Sequence, residues 1–449
     1  MVTVGEKIKS LRKELKLTQT DLAGKELTKS MLSQIENNQS NPSLKTLRYL
    51  SDRLNRPITY FLEEPSDQEY NFPDSDAIIK ELEEQIRRIN ESIEAGQLME
   101  AQKEIEKLLT ENLQNKISKS CADIILKLGM ALFKGNKLEE AQKYLNHSIQ
   151  IYIKGAFFLE AAKAYVELAK IYYQKFDYNE CLALSDQVVT LYNKSFNKDP
   201  FFEIEIFYNK ILVLFALGDL KQTADVIQAA LTLSEISAVY YKTDDFYRLN
   251  AIFHFQMNNK EVYEQNIEKA LQFAELTNDN ACLARIYALK GMVALENSNG
   301  EDIMALAQEA LEYAEKNKYF YGREIYIYHF VKARAYFLLE NYELAYKSIK
   351  KVDYPTYETH KFDYLNMWSA KVYEGLILNK LNQNSEAIDA VKTGIDKMSI
   401  VGDSKFLVFA NKSISEIYSS MNDYQNAFAY LKIANEIQDR INGDENIIF

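Results

Sequence analysis

The feature that most restricts the fold of this chain is a repeat. Short polar turn segments recur about every 40–42 residues: GQLMEA at 96–101, NKLEEA at 136–141, FDYNEC at 176–181, GDLKQTA at 218–224, NNKEVYE at 258–264, NGEDIMA at 299–305, ENYELA at 340–345, NQNSEA at 382–387 and NDYQNA at 422–427. A fixed period of this length marks a stacked array, because one unit cannot bury its apolar face alone and needs its neighbours. Each turn is preceded by one amphipathic stretch and followed by another, as with 161–173 before FDYNEC and 181–192 after it. Small residues at the end of the turn (Ala101, Ala141, Cys181, Ala345, Ala387, Ala427) let paired helices approach closely. The repeat therefore predicts about nine helix pairs over 76–441. With only 14 Gly and 6 Pro in 449 residues, composition also favours helices over sheets with many turns.

Before the repeats lies a different kind of segment. Residues 1–64 predict five short helices: Val4 to Leu15 with Ile8, Leu11 and Leu15 on one face, Gln19 to Leu27 capped by Thr18, Lys29 to Asn37 capped by Thr28, Leu44 to Leu54, and Pro57 to Leu62. The third is the informative one. Met31, Leu32 and Ile35 fall on one side at helical spacing and are expected to face a core. Lys29, Ser30, Ser33, Gln34 and Asn37 fall on the other side, which makes a surface of amides, small hydroxyls and one cation. Those groups read base edges and hold phosphates, so the helix is expected to enter the major groove of duplex DNA. An acidic stretch with two prolines, 65–75, reads as a linker, and 442–449 as a tail.

Charge supports that division of labour. The chain carries −12, but residues 1–66 hold 11 Lys+Arg against 8 Asp+Glu, a net +3, leaving −15 on the remainder. A basic head can approach nucleic acid; the acidic body would be repelled by it. Cys121, Cys181 and Cys282 are far apart and the four histidines are scattered, so the three thiols read as small buried hydrophobes and no metal or cofactor is expected. No Gly-rich phosphate loop, nucleophile elbow or isolated carboxylate pair stands in the sequence, and the chain is not expected to be an enzyme. The longest apolar run, Ile211 to Leu217, is far short of the roughly 20 residues a membrane helix needs. Glu6, Lys7, Lys9 and Arg12 interrupt any signal-peptide core, so a cytoplasmic location and no membrane partner are expected.

Two resemblances follow from these motifs. The head resembles the Xre/phage-repressor helix-turn-helix family in Thr18-Gln19…Leu22-Ala23, in Ser33-Gln34-Ile35-Glu36-Asn37 and in Asn41-Pro42-Ser43. That resemblance implies phosphate contacts from Gln19 and Asn37, base contacts from Lys29, Ser30, Ser33 and Gln34, and an Arg12–Glu36 pair inside the head, and Thr28 at the start of the helix is counted with the DNA-binding residues. It departs from the family at Asn38, where glycine is common, and in the turn Gly24-Lys25-Glu26-Leu27, which is shorter by one residue. The body resembles the tetratricopeptide repeat, whose usual period is about 34, and so implies a right-handed superhelix with a concave groove.

Together they resemble the Rap/Rgg/NprR/PlcR/PrgX receptors for short signalling peptides. By implication the chain is a homodimeric quorum-sensing regulator of promoter DNA, switched by an oligopeptide. The alternative is a Rap- or NprR-like protein that sequesters or dephosphorylates a phosphorelay response regulator. Asparagines on first helices suit a peptide main chain, since an amide both donates and accepts. Asn209, Asn250, Asn366 and Asn411 are the candidates, whereas Tyr247, Tyr287 and Tyr328 read as inter-helix core.

Overall fold

The computed structural model describes residues 3–61 apart from 41, 55 and 57–59; 75–111; 119–296; 302–352 apart from 307, 310–311 and 313–324; 354; and 360–442. Among these residues all regular structure is helical. The linker at 65–74, most of the expected fifth head helix and the tail from 443 on lie outside the described residues.

The head opens with α1, Val4–Glu14, entered through a capping box in which Thr3 and Glu6 satisfy each other's backbone N–H. Thr18 and Asp21 repeat the device at α2, Gln19–Ala23. Thr28 caps α3, Lys29–Glu36, and Ser43 caps α4, Leu44–Arg53. Each such cap contributes about 0.5–2 kcal/mol, which matters for helices too short to be stable alone. Ile8, Leu11, Leu22, Leu32, Ile35, Leu47, Leu50, Leu54 and Phe61 converge into one core. Helix α1 crosses α3 at Gly5, where a Cβ would lie 2.0 Å from the Ile35 carbonyl oxygen.

Three expectations are corrected here. Helix α2 stops at Ala23 because Gly24, at φ +55°, turns the chain away, and a Cβ there would meet the Tyr49 hydroxyl at 2.3 Å. Met31, expected in the core, is 47% exposed; it precedes Leu32 by 100° of helical arc and falls outside the buried stripe. Leu15, at the C-cap of α1, is also exposed, since the chain has left the helix before that side chain can reach the core. Asn38 adopts φ +57°, a left-handed conformation that asparagine tolerates.

The body is built of antiparallel helix pairs in succession: Ser75–Glu94 with Leu98–Glu111, Lys119–Lys134 with Leu138–Lys154, Phe158–Gln174 with Tyr178–Lys194, Pro200–Leu217 with Leu220–Ser237, and Thr243–Gln256 with Lys260–Thr277. Asn280–Glu296 follows, with only part of its partner helix described, and then Ile325–Leu338 with Tyr342–Ile349, Lys361–Lys380 with Asn384–Met398, and Lys405–Ser420 with Tyr424–Asn442. The turns explain the period. One residue in each described turn takes a left-handed conformation, at Gly96, Asn136, Phe176, Gly218, Asn258, Glu340, Asn382 and Asn422. This is the helix-ending geometry that glycine and asparagine tolerate; Asn136 and Lys137, for example, donate back to Phe133 and Leu132. The small residue five positions on is buried each time it occurs, as at Ala101, Ala141, Ala345 and Ala387.

The chain divides into two compact units. The first holds the head, the first two helix pairs and the third pair without its tip, residues 1–172 and 183–199. The second holds the tip of the third pair, 173–182, with everything from Pro200 on. Cys121, Cys181 and Cys282 are free thiols, all buried. Among the described residues no helix is long and apolar enough to cross a membrane.

Candidate nucleic-acid interface and ligand groove

Helix α3 buries Leu32 and Ile35 and turns Lys29, Ser30, Gln34 and Asn37 to solvent, with Ser33 half-buried beside them. Four of the five residues expected outward are exposed, and Met31 is exposed with them. What fixes the helix is Glu36, 1% exposed on its inner side. Arg12 grips that carboxylate with two nitrogens, Nε to Oε1 at 2.5 Å and Nη2 to Oε2 at 2.9 Å, while Nη1 donates to the Leu17 carbonyl at 2.9 Å. Burial pushes the Glu36 pKa up, but Arg12 and Gln19 outweigh it and hold the carboxyl below its ordinary range. The pair spans α1, the α1–α2 turn and α3, so it sets the angle of the recognition helix.

Gln19 is half-buried, and its Nε2 donates to Glu36 Oε2 at 2.8 Å. That bond uses one of the two amide protons. Asn37 is exposed and accepts from Lys9 Nζ at 3.0 Å. Thr28 is exposed and engaged as the α3 cap. Lys9 was not among the sequence candidates, because it lies on α1; the fold places its ammonium at the C-terminal end of α3.

The four asparagines fare unequally. Asn209 is exposed on the first helix of the fourth pair. Asn250 is half-buried and donates to Asn266 Oδ1 at 2.9 Å, leaving its own carbonyl oxygen outside that bond. Asn366 is 4% exposed, its amide against Met292 Sδ at 3.7 Å, and Asn411 is 2% exposed and donates to the Leu407 carbonyl of its own helix at 2.8 Å. The expectation for Asn366 and Asn411 is therefore corrected: burial removes them from the reach of a groove ligand. Tyr247, Tyr287 and Tyr328 are buried, as core residues should be.

The second unit also contains a charge cluster that sequence reading missed. Asp245, 2% exposed, accepts from Arg248 Nε at 2.9 Å and from Arg285 Nη2 at 3.1 Å, with Lys242 Nζ at 4.0 Å. Burial opposes ionisation of Asp245, but the three cations outweigh it and hold its pKa well below the usual range. Burial and the Asp245 charge push neighbouring Asp244 up to about 6. Asp245 and Arg285 are 40 residues apart, one period of the repeat, so adjacent first helices bring them together.

Further along the same unit, the N-terminus of helix Lys361–Lys380 is completed by distant groups. Lys361 N–H donates to Tyr178 Oη at 2.7 Å, across 183 residues. His360 caps Phe362 through Nδ1 at 3.1 Å, and its Nε2 lies 3.1 Å from the Leu212 carbonyl. Burial pushes the His360 pKa down to about 4, against the pull of that carbonyl. A neutral ring with its Nε2–H toward Leu212 satisfies both contacts. Among the described residues no cluster of His, Cys, Asp and Glu could hold a metal.

Comparison with known proteins places the two parts of the chain. Residues 8–61 match the helix-turn-helix family. An immunity repressor of Bacillus phage phi105 is 39% identical over 89 residues, 18% of this chain and 62% of the repressor. The match thus spans less than two thirds of that relative's own length. Among solved structures, the apo form of the quorum sensor NprR from B. thuringiensis superposes with a TM-score of 0.50 at 12% identity, covering 80% of this chain and 99% of that one. PlcR of Bacillus thuringiensis, in complex with a peptide and DNA, gives 0.32 at 16% identity, covering 62% and 96%. The head is a helix-turn-helix domain, and the chain shares the helical-repeat fold of NprR.

Proposed function

We propose that this chain is a transcription regulator of the Rap/Rgg/NprR/PlcR/PrgX kind, with a DNA-binding head at 1–64, a linker at 65–75 and a peptide-binding repeat body at 76–441. The carrying observation is the outward polar face of α3, Lys29, Ser30, Ser33, Gln34 and Asn37, on a helix braced from beneath by Glu36 and Arg12. Such a face, most of it open to solvent, suits base edges and phosphates. The fold shared with NprR supports a sensor body, and Asn209 and Asn250 are the groove residues offered to a peptide main chain. Two copies would set two heads on half-sites one or more helical turns apart. The chain works in the cytoplasm, where DNA and re-imported peptide meet.

The test is a mobility shift of DNA from upstream of the coding region, at fixed salt because phosphate contacts are salt-dependent. The small-peptide fraction of the host's culture medium serves as effector. A specific shift that peptide alters and Gln34→Ala removes supports the reading. Absence of specific binding under every condition, with capture of a response regulator that peptide reverses, transfers it to the protein-sequestering alternative, for which the −15 body supplies an acidic surface.

A further inference from the structure

The first compact unit contains both the head and the base of the third helix pair, and α4 forms the seam between them. Phe196 packs against the core of the head, with Tyr49 edge-on at 5.7 Å and Lys45 Nζ 5.1 Å from the ring. Arg48 stands 5.8 Å from the Phe158 ring. Lys29, Ser30, Gln34 and Asn37 stay exposed with the head in this position, so docking leaves the α3 face open.

Rings and cations hold the seam, and carboxylates work against it. Asp52 lies one helical turn after Arg48 and lines a narrow cleft in the seam with Arg48, Phe158, Glu160, Lys194 and Phe196. The charged groups around it come from four elements. Arg48 lies on α4 itself, Lys119 and Asp123 on helix Lys119–Lys134, Glu160 on Phe158–Gln174, and Lys194 ends Tyr178–Lys194. Lys119 is already paired with Glu160. Glu160 also acts on Asp123, whose carboxyl accepts from Tyr152 Oη at 2.6 Å. One lysine thus stands among three carboxyls, while Arg48 and Lys194 are exposed to water. Burial and the Glu160 charge push the Asp52 pKa up to about 7 against Lys119 and Arg48, and among the described residues no hydrogen bond opposes them.

We propose that a proton controls the docking of the head on the first repeats: Asp52, set against Glu160 and Lys119 in the seam, permits tight docking when neutral and loosens it when ionised. On a head lifted clear of the seam Asp52 is an ordinary surface carboxyl near about 3.9. The docked state therefore binds the proton more tightly, and docking weakens as pH rises from about 4 to about 7. Between pH 5.5 and 7.5 the docking constant falls by about 20-fold. Neither peptide nor DNA takes part in this contact. For the regulatory reading above, its consequence is that the freedom of the head depends on pH.

Hydrogen–deuterium exchange on the full-length chain, without DNA or peptide, tests this. Wild type and Asp52→Asn are compared at pH 5.5 and again at pH 7.5, so intrinsic exchange rates cancel within each pH. The variant is neutral at both. It should slow exchange at 156–161 and 194–197, at least about fivefold more at pH 7.5 than at pH 5.5, with α1 and α3 unchanged. Glu160→Gln removes the facing charge and should also slow exchange there more at pH 7.5 than at pH 5.5. Equal effects of Asp52→Asn at the two pH values, or no effect at either, overturn the proposal. So does a change of protection throughout α1 and α3, which assigns Asp52 to folding of the head and not to its docking. Because neither DNA nor peptide is present, such results would leave the DNA-binding reading standing, and a failed DNA test would leave the docking proposal standing.

Discussion

The head and the second unit handle polar groups in opposite ways. On α3 the polar side chains face water, and the charges that hold the helix are paired beneath it through partners 17 and 24 residues away. In the second unit Asp245 is buried between Arg248 and Arg285, a helix terminus is capped by Tyr178 from 183 residues away, and His360 beside it contacts a carbonyl 148 residues away. The first surface is finished and waits for a partner. At that carboxylate and that helix terminus the polar groups already hold partners within the chain.

The sharpest way to break the comparison is at Glu36. Glu36→Ala leaves Arg12, 11% exposed, with no carboxylate, and removing one partner of a buried pair costs about 3–5 kcal/mol. Calorimetry should show the head melting early while the body's transition stays. The same pair gives a pH signature. Because the folded pKa of Glu36 is depressed, its contribution is present above the unfolded value of about 4.3 and is lost as pH falls through the folded one. Head stability should fall on acidification below about pH 4, and in Glu36→Gln that dependence should shrink.

Gln34→Ala should do the opposite, leaving the melting curve in place and weakening specific DNA binding by about 1–3 kcal/mol, roughly 5- to 150-fold by titration. The asparagines sharpen the contrast within the body. Asn411→Ala removes a buried hydrogen-bonding side chain and should cost about 1 kcal/mol of stability with peptide affinity unchanged. Asn209→Ala, on an exposed site, should shift stability by less than about 0.5 kcal/mol and lower peptide affinity.

A separate effect, read from pH alone, is expected at Asp52 on α4. Burial and the charge of Glu160 push its pKa up to about 7, so the folded chain holds a proton there that the unfolded chain releases near 3.9. Stability should decline as pH rises between those values. Asp52→Asn should flatten the decline and protect the chain most at pH 7 and above, as read from melting temperatures across that window.

How much of this was legible in the sequence follows from contact range. Thr18, Thr28 and Ser43 announce their helices because a cap acts within three residues, and the Asn136 and Asn382 turns repeat because each solves the same local problem. The outward face of α3 was legible from periodicity; the exposure of Met31 was not, because the width of a buried stripe depends on what packs against it. The Asp245–Arg285 pair could have been found by adding one period to an acidic residue on a first helix. Asn366 and Asn411 could not have been excluded, since asparagine composition does not tell a groove from a core. The Tyr178–Lys361 cap had no signal at all: no local pattern in either segment encodes a partner 183 residues away.

The most direct test of the central claim, that groove state governs DNA affinity, is a fluorescence titration of upstream DNA with full-length protein at fixed salt. It is run with and without the culture's small-peptide fraction, and again with Asn209→Ala. The account predicts that peptide changes the dissociation constant at least about fivefold, a coupling of about 1 kcal/mol, and that Asn209→Ala reduces the change without altering peptide-free affinity. Specific DNA binding of identical strength with and without the peptide fraction would contradict it.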